Sequence, residues 1–185
     1  MSVNKNSTAN IAPSGAIMVS IQQQVLRYSS NGKVFEFAIS TAKNGPGEQN
    51  NSGCTPRGEH RVRVIIGGGL PANSVFIGRR FTGEIYSAEL SEQFPQRDWI
   101  LTRILWLQGL EVGVNRLGNV DSMRRYIYIH GTPDAEPMGV AKSHGCIRMR
   151  NDDVMWLSEN IAVNTPVTII EGPLPTTNLA TGERL

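Results

Sequence analysis

The sequence predicts one mainly β domain, a sandwich or open barrel with a single short helix after its second cysteine. Three observations carry this. Seven segments have the length and the alternating or apolar composition of strands. Only one segment spaces its apolar residues at helical intervals. The chain of 185 residues, 39% apolar, is enough for one sizeable core and too short for two ordinary domains.

Residues 1–15 are polar, with Pro and Gly, and read as a loose tail. Residues 16–28, AIMVSIQQQVLRY, alternate in part and read as one strand. Asn31-Gly32 is a two-residue hairpin signal, and Lys33 to Ser40 alternates on the way back. Residues 43–58 hold Gly, Asn and Pro in the density of a surface loop. Glu59 to Ile66 is a strand ended by Gly67-Gly68-Gly69, and Val75 to Phe81 is another short one. Residues 87–97 are polar and irregular. The ten-residue apolar run Trp99 to Gln108 reads as a strand, and Gly109, Gly113, Asn115 and Gly118 mark turns after it. Tyr126 to His130, YIYIH, is the clearest buried strand. Asn151 to Ala162 places Val154, Leu157 and Ile161 on one helical face, with Asp152 and Asp153 where the helix dipole favours acids. Thr165 to Ile170 is the last strand, so the domain proper is 16–171 and residues 172–185 form a C-terminal tail.

The formal net charge is +2, and the basic pairs Arg61/Arg63, Arg79/Arg80 and Arg124/Arg125 make no continuous stripe, so no nucleic-acid partner is expected. No apolar run approaches the roughly 18 residues of a membrane-spanning helix, so no membrane partner is expected. The start shows one Lys and a short apolar patch, Ala16 to Val19, where a secretory signal needs a core of about 7–15 residues. The expectation is a cytoplasmic protein, or a periplasmic one if Met1 is not the native start. Cys54 and Cys146 are too few for a disulfide framework, and at least one free thiol is expected. For Cys54, in the loop SGCTPRG, a free and moderately exposed thiol is the expectation, against the alternative of a redox partner for Cys146.

Three features converge on chemistry: His130 at the end of YIYIH, the string Ser143-His144-Gly145-Cys146-Ile147-Arg148, and the short loop between them. A thiol needs a nearby base or positive field to become a thiolate. An imidazole at a strand end supplies one, and in an extended segment His144 would lie on the same side as Cys146. Gly145 leaves room for a substrate carbonyl and frees backbone N–H groups as an oxyanion hole. The bland readings are a buried, inert Cys146 and a surface His130. Zinc would need a fourth ligand such as His60, Asp134 or Cys54, and the spacing fits no common zinc pattern. Spacing by itself therefore stops at a cysteine-enzyme candidate.

The string IHGT…SHGCIRM resembles the signature of the L,D-transpeptidase catalytic domain, the YkuD-type family. The resemblance extends to Thr55-Pro56-Arg57-Gly58, to Ser40-Thr41-Ala42, and to Asp153-Val154, Leu157 and Asn164-Thr165-Pro166-Val167, covering about residues 16–171. The sequence departs from the strictest pattern in its twelve-residue gap from His130 to Ser143, in Arg148 and in His60. The resemblance implies a β-sandwich-like fold. It implies that Cys146 attacks a peptidoglycan tetrapeptide stem at its third residue, diaminopimelate in most substrates, and expels the terminal D-Ala. His130 would be the base, oriented by the Gly131 carbonyl. The N–H groups of Gly145 and Cys146 would hold the oxyanion, and His144 would flank the site. Arg148, Ser143, Tyr128 and Arg80 would be substrate contacts, with Arg79 and Arg103 as further candidates in a lid over 67–125. No cofactor is implied, and a carbapenem should acylate Cys146. A compact chain without a signal is most similar to the cytoplasmic L,D-carboxypeptidases of muropeptide recycling. Cross-linking transpeptidation and a non-catalytic wall-fragment binder are the alternatives.

Overall fold

The structure, a computed structural model, describes residues 15–183; the tail expected at 1–15 falls almost entirely outside the described residues. The segment 16–28 is two strands, β1 (Gly15–Ser20) and β2 (Val25–Ser30), rather than one. The chain reverses between them because Gln24 takes a positive φ of 53° and its buried side-chain amide donates to the Ile21 carbonyl and the Thr41 hydroxyl. The Asn31-Gly32 turn has φ of 50° and 73°, as the primed hairpin turns require, and delivers β3 (Lys33–Ala38). After the expected loop come β4 (Gly58–Ile66) and a second hairpin, β5 (Ser74–Ile77) and β6 (Arg80–Ile85), where the sequence predicted one strand.

The polar stretch 87–97 contains a six-residue helix, α1 (Ala88–Gln93), so the expectation of a single helix is corrected. Ser87 caps it by accepting from the Leu90 N–H. One and a half turns are too short to show a helical period, which is why the pattern missed it. The expected strands follow as β7 (Ile100–Gly109), β8 (Tyr128–Gly131) and β10 (Pro166–Ile170). Between the last two lie the three-residue β9 (Ile147–Met149) and α2 (Asn151–Asn160). No side chain caps the N-terminus of α2; Val154 and Leu157, both fully buried, anchor it at about 1.5–3 kcal/mol each.

The strands form one continuously paired sheet that begins at the edge strand β11 (Ala180–Thr181) and runs in the order β11-β3-β2-β1-β10-β4-β7-β5-β6, with β8 on the other flank of β7 and β9 parallel beside β8. A backbone bridge between Ser40 and Arg148 joins the end of β3 to β9, so the sheet rolls back on itself around one core. That core takes Ile17, Val19, Leu26 and Phe37 from one side and Ile129 and Ile147 from the other. The C-terminal segment does not hang loose where it is described. Arg27 donates to the Pro175 carbonyl, and β11 (Ala180–Thr181) pairs with β3.

Candidate active site

Alternation along β8 decides which residues share the site. Ile127 and Ile129 face the core, so Tyr128 and His130 face the other way. β9 runs parallel to β8 with Ile129 opposite Ile147 and His130 opposite Arg148. Ile147 and Met149 are core residues, which puts Cys146 and Arg148 on the face of Tyr128 and His130. Cys146 packs against the cluster of Tyr128, Phe76 and Ile104. Its diagonal neighbour across the ladder is His130, at a Cα separation of about 8 Å from strand spacing and rise. The sulfur and the imidazole therefore share one face of the ladder.

His130 is 1% exposed, and its Nδ1 lies 2.7 Å from the Gly131 carbonyl oxygen. That contact assigns the proton of the neutral ring to Nδ1 and leaves Nε2 as the basic nitrogen. Gly131 is a glycine for a packing reason. A Cβ there would overlap the Asn151 amide oxygen and sit 2.8 Å from the Leu101 carbonyl. Asn151 is itself locked. Its oxygen accepts from the Thr102 hydroxyl, and its nitrogen donates to Asn73 Oδ1 and to the Thr132 carbonyl, each at 3.0 Å. Thr102 reaches it from a bulge in β7, where its φ is 69°. A buried polar network spanning β7, β8 and the start of α2 thus fixes the carbonyl that orients the base.

The thiol rests on backbone. Its Sγ accepts from the Tyr128 N–H and donates to the Tyr126 carbonyl, both at 3.4 Å, and the imidazole is not among its hydrogen-bond partners. Burial pushes the Cys146 thiol up to about 12, with the Tyr128 N–H opposing that rise. Burial pulls His130 down to about 4, against the Gly131 carbonyl and the Asp98 charge. Both groups are neutral near pH 7.

The structure revises several assignments around this pair. Gly145 has φ of 136°, which interrupts the extended alternation expected for His144 and Cys146. His144 is exposed, with Nδ1 3.5 Å from Asp98 Oδ2. The Gly145 N–H donates to Ser143 Oγ at 3.2 Å, so it is spent inside the turn rather than offered to an oxyanion. The Cys146 N–H meets no acceptor among the described residues. Ser143, expected as a substrate contact, is buried and also donates to the Cys146 carbonyl, so its hydroxyl is engaged within the turn that carries Cys146. Thr55 Oγ1 donates to the Gly145 carbonyl at 3.0 Å, which ties the TPRG segment to the same turn.

Arg148 is not a spare cation for a substrate carboxylate. Its guanidinium donates to Asp98 Oδ1 at 2.7 Å and lies 3.5 Å from Glu136 Oε2. Although burial alone would raise it, the Asp98 carboxyl is held below its ordinary value by Arg148, with His130 and His144 adding. Nothing in the sequence marked Asp98, which stands 50 residues from its partner. Tyr128 is 3% exposed, and its hydroxyl accepts from Arg79 at 3.3 Å. Arg80 is exposed on β6 and Arg103 is buried, donating to the Leu70 and Thr102 carbonyls; neither reaches the site. His60 is buried between the Gly58 carbonyl and Ser122 Oγ, at 2.9 Å from each, and burial lowers it. Among the described residues no group of three or more His, Cys, Asp or Glu could hold a metal. Cys54 is a free, half-buried thiol as expected. A cleft of about 440 Å³ opens beside the site, lined among others by Lys43, Asp98, Lys142, His144 and Arg148.

The profile of the YkuD-type L,D-transpeptidase catalytic domain matches residues 14–169. A probable L,D-transpeptidase of Escherichia coli, YbiS, is 40% identical over 60 residues, 32% of this chain and 20% of that protein. A putative L,D-transpeptidase of Bacillus subtilis, YqjB, is 49% identical over 43 residues, 23% of this chain and 24% of that protein. The aligned stretches thus span a quarter or less of these relatives. Among solved structures, an L,D-transpeptidase from Mycobacterium smegmatis superposes with a TM-score of 0.54 at 18% identity, over 85% of this chain and 59% of that one. L,D-transpeptidase 3 of Mycobacterium tuberculosis, bearing a faropenem-derived adduct, gives 0.54 at 17% identity over 86% and 61%. Those two likenesses establish the fold, and the profile match over most of the chain establishes the family: the chain belongs to the L,D-transpeptidase catalytic-domain family of cysteine enzymes.

Proposed function

We propose that the protein is a cysteine acyl-transfer enzyme of peptidoglycan stems, which cleaves the bond between the third residue and the terminal D-Ala of a tetrapeptide and releases the product by hydrolysis. The observation that carries this reading is the pairing of β8 with β9. It sets Cys146 diagonally across from His130 on one face, with Nδ1 of the ring engaged by Gly131 and Nε2 left as base.

Cys146 Sγ attacks the carbonyl carbon of the third residue while its proton passes to His130 Nε2. Because burial keeps the thiol protonated and the ring neutral, the proton moves during attack and not before it. The carbonyl oxygen becomes the oxyanion and takes the Cys146 N–H. Collapse breaks the C–N bond, and the departing amine of D-Ala takes the proton from His130. Water, deprotonated by the same nitrogen, then attacks the thioester and regenerates the thiol. Hydrolysis needs no subsite for a second stem, which is why it is preferred. A cross-linking reading is favoured by the names of the relatives, and it differs only in the final nucleophile, an amine of another stem.

Incubation with a disaccharide-tetrapeptide, followed by mass spectrometry, tests both. Loss of one D-Ala supports the hydrolase and a dimeric product the transpeptidase. An unchanged substrate with folded protein overturns acyl transfer. Cys146→Ala should abolish turnover and the mass adduct left by a carbapenem while keeping the fold.

A further inference from the structure

The two-residue turn between β5 and β6 is Gly78-Arg79, with φ of 51° and 75°. The second position of such a turn is the usual place for Gly or Asn; a long side chain there carries a steric cost. A strained backbone held by surrounding contacts directs attention to what the residue does. The Arg79 guanidinium lies 4.5 Å from the ring centre of Trp106 and 4.8 Å from that of Tyr126, and it donates to the Tyr128 hydroxyl at 3.3 Å. Tyr126 and Tyr128 are the two residues whose backbone groups hold the Cys146 sulfur. A cation is therefore mounted on the side chains of the residues that cradle the nucleophile.

Four other arginines that are buried or half-buried are committed. Arg97 and Arg148 meet carboxylates, while Arg103 and Arg125 donate to backbone carbonyls. Arg79 meets neither a carboxylate nor a carbonyl among the described residues. A guanidinium has five N–H donors, and stacking on aromatic faces leaves its edges outward, able to fork onto a carboxylate.

We propose that Arg79 binds the free carboxylate of the D-amino acid that leaves the donor stem, and so selects stems that end one residue past the bond attacked. This rests on the acyl-transfer reading above. In such a donor only the amide nitrogen and one Cα separate the terminal carboxylate from the carbon that Cys146 attacks. The carboxylate thus stays beside the sulfur, on the face that Arg79 overhangs. A stem longer by one residue carries a neutral amide at that place and its charge about 3.5 Å farther out. Arg148, tied to Asp98, offers no equivalent fork.

The test compares the tetrapeptide with the same peptide ending in a carboxamide. For the wild-type protein, kcat/KM should favour the carboxylate by roughly ten- to a hundredfold, as a charge-assisted bidentate contact does. In Arg79→Gln the ratio should fall towards one, and in Arg79→Lys it should fall part of the way. A fall of both substrates together with the ratio preserved would mean that Arg79 only braces the hairpin, and would overturn the proposal. So would a wild-type ratio near one, which needs no variant at all. If the wild-type protein turns over neither peptide, acyl transfer fails as a reading while this inference is still decided by calorimetry on Cys146→Ala. Tighter binding of the carboxylate that disappears in Cys146→Ala/Arg79→Gln upholds it, and equal binding of the two peptides overturns it.

Discussion

Replacing Gly131 by Ala tests whether the polar network behind the base is as rigid as its hydrogen bonds imply. The added methyl would overlap Asn151 Oδ1 and lie 2.8 Å from the Leu101 carbonyl oxygen and 3.2 Å from Thr102 Cβ. The Leu101 carbonyl belongs to the β7–β8 ladder and cannot retreat cheaply. Asn151 must give way instead, although it holds three hydrogen bonds, to Thr102, Asn73 and the Thr132 carbonyl. Overpacking costs about 1–3 kcal/mol and each buried hydrogen bond about 1 kcal/mol, so a loss of about 3–5 kcal/mol is expected. That is a large part of the stability of an ordinary domain, roughly 5–15 kcal/mol. Urea unfolding followed by tryptophan fluorescence measures it. Turnover per folded molecule should fall as well, because Gly131 itself carries the carbonyl that holds His130 Nδ1 and strain at its Cα shifts that carbonyl. Asn151→Ala in the same background removes the atom that clashes, so the double variant should lose clearly less than the sum of the singles. A loss under about 1 kcal/mol for Gly131→Ala, or strict additivity in the cycle, would refute the packing argument.

The protonation states give a stability prediction with a definite sign. Burial holds folded His130 at about 4 against an ordinary 6.5, so between pH 6.5 and 4 the unfolded chain takes up a proton that the folded one refuses. Stability should therefore decline as pH falls through that window, by up to about 3 kcal/mol from His130, with buried His60 acting in the same direction. Urea midpoints at several pH values, compared with those of His130→Gln, read the His130 share. Asp98→Asn leaves the 8%-exposed Arg148 guanidinium with Glu136 at 3.5 Å as its remaining carboxylate. Since the Asp98 side chain is half exposed, a loss of about 1–2 kcal/mol is expected by chemical denaturation, short of that for a fully buried pair. Finally, a thiol pushed up to about 12 holds on the order of one part in ten thousand thiolate at pH 8, so iodoacetamide should label Cys146 slowly, with a rate still rising tenfold per pH unit above pH 9. Mass spectrometry on a Cys54→Ser background follows it, and a plateau below pH 8 would contradict a thiol that is neutral at rest.

The parts of this architecture that were legible in the sequence are the local ones. Asn31-Gly32 names its own turn, because two positive φ values in succession suit few residue pairs. Within YIYIH the run from Ile127 to His130 is buried as expected, while Tyr126 is exposed ahead of the strand; His130 could be placed because it lies on a short segment of regular extended chain, whereas Cys146 stands in the bend just before β9. What failed did so through contacts distant in sequence or through backbone geometry that composition hides. Three consecutive glutamines do not advertise a reversal; the Gln24 side chain makes it by bonding to Thr41 across the fold. Arg148 looked like a free anion binder until Asp98, arriving from the loop ahead of β7, neutralised it. His144 was placed beside the sulfur by strand alternation, and the φ of Gly145 cancelled that alternation. The Gly145 N–H was withdrawn by a serine that the motif itself supplies.

These corrections share a physical direction, and it bears on how the nucleophile works. Charges beside the pair are compensated rather than aimed at it: Asp98 offsets Arg148, and Arg125 is spent on the carbonyls of the loop that carries Cys54. With Arg148 and Arg125 so engaged, burial dominates, and the resting thiol keeps its proton on the Tyr126 carbonyl. An enzyme that stored a thiolate would need a free cation directly against the sulfur and would react with small electrophiles at large. On the acyl-transfer reading proposed above, the thiol would leave the Tyr126 carbonyl and turn along the ladder towards Nε2 of His130 as it attacks.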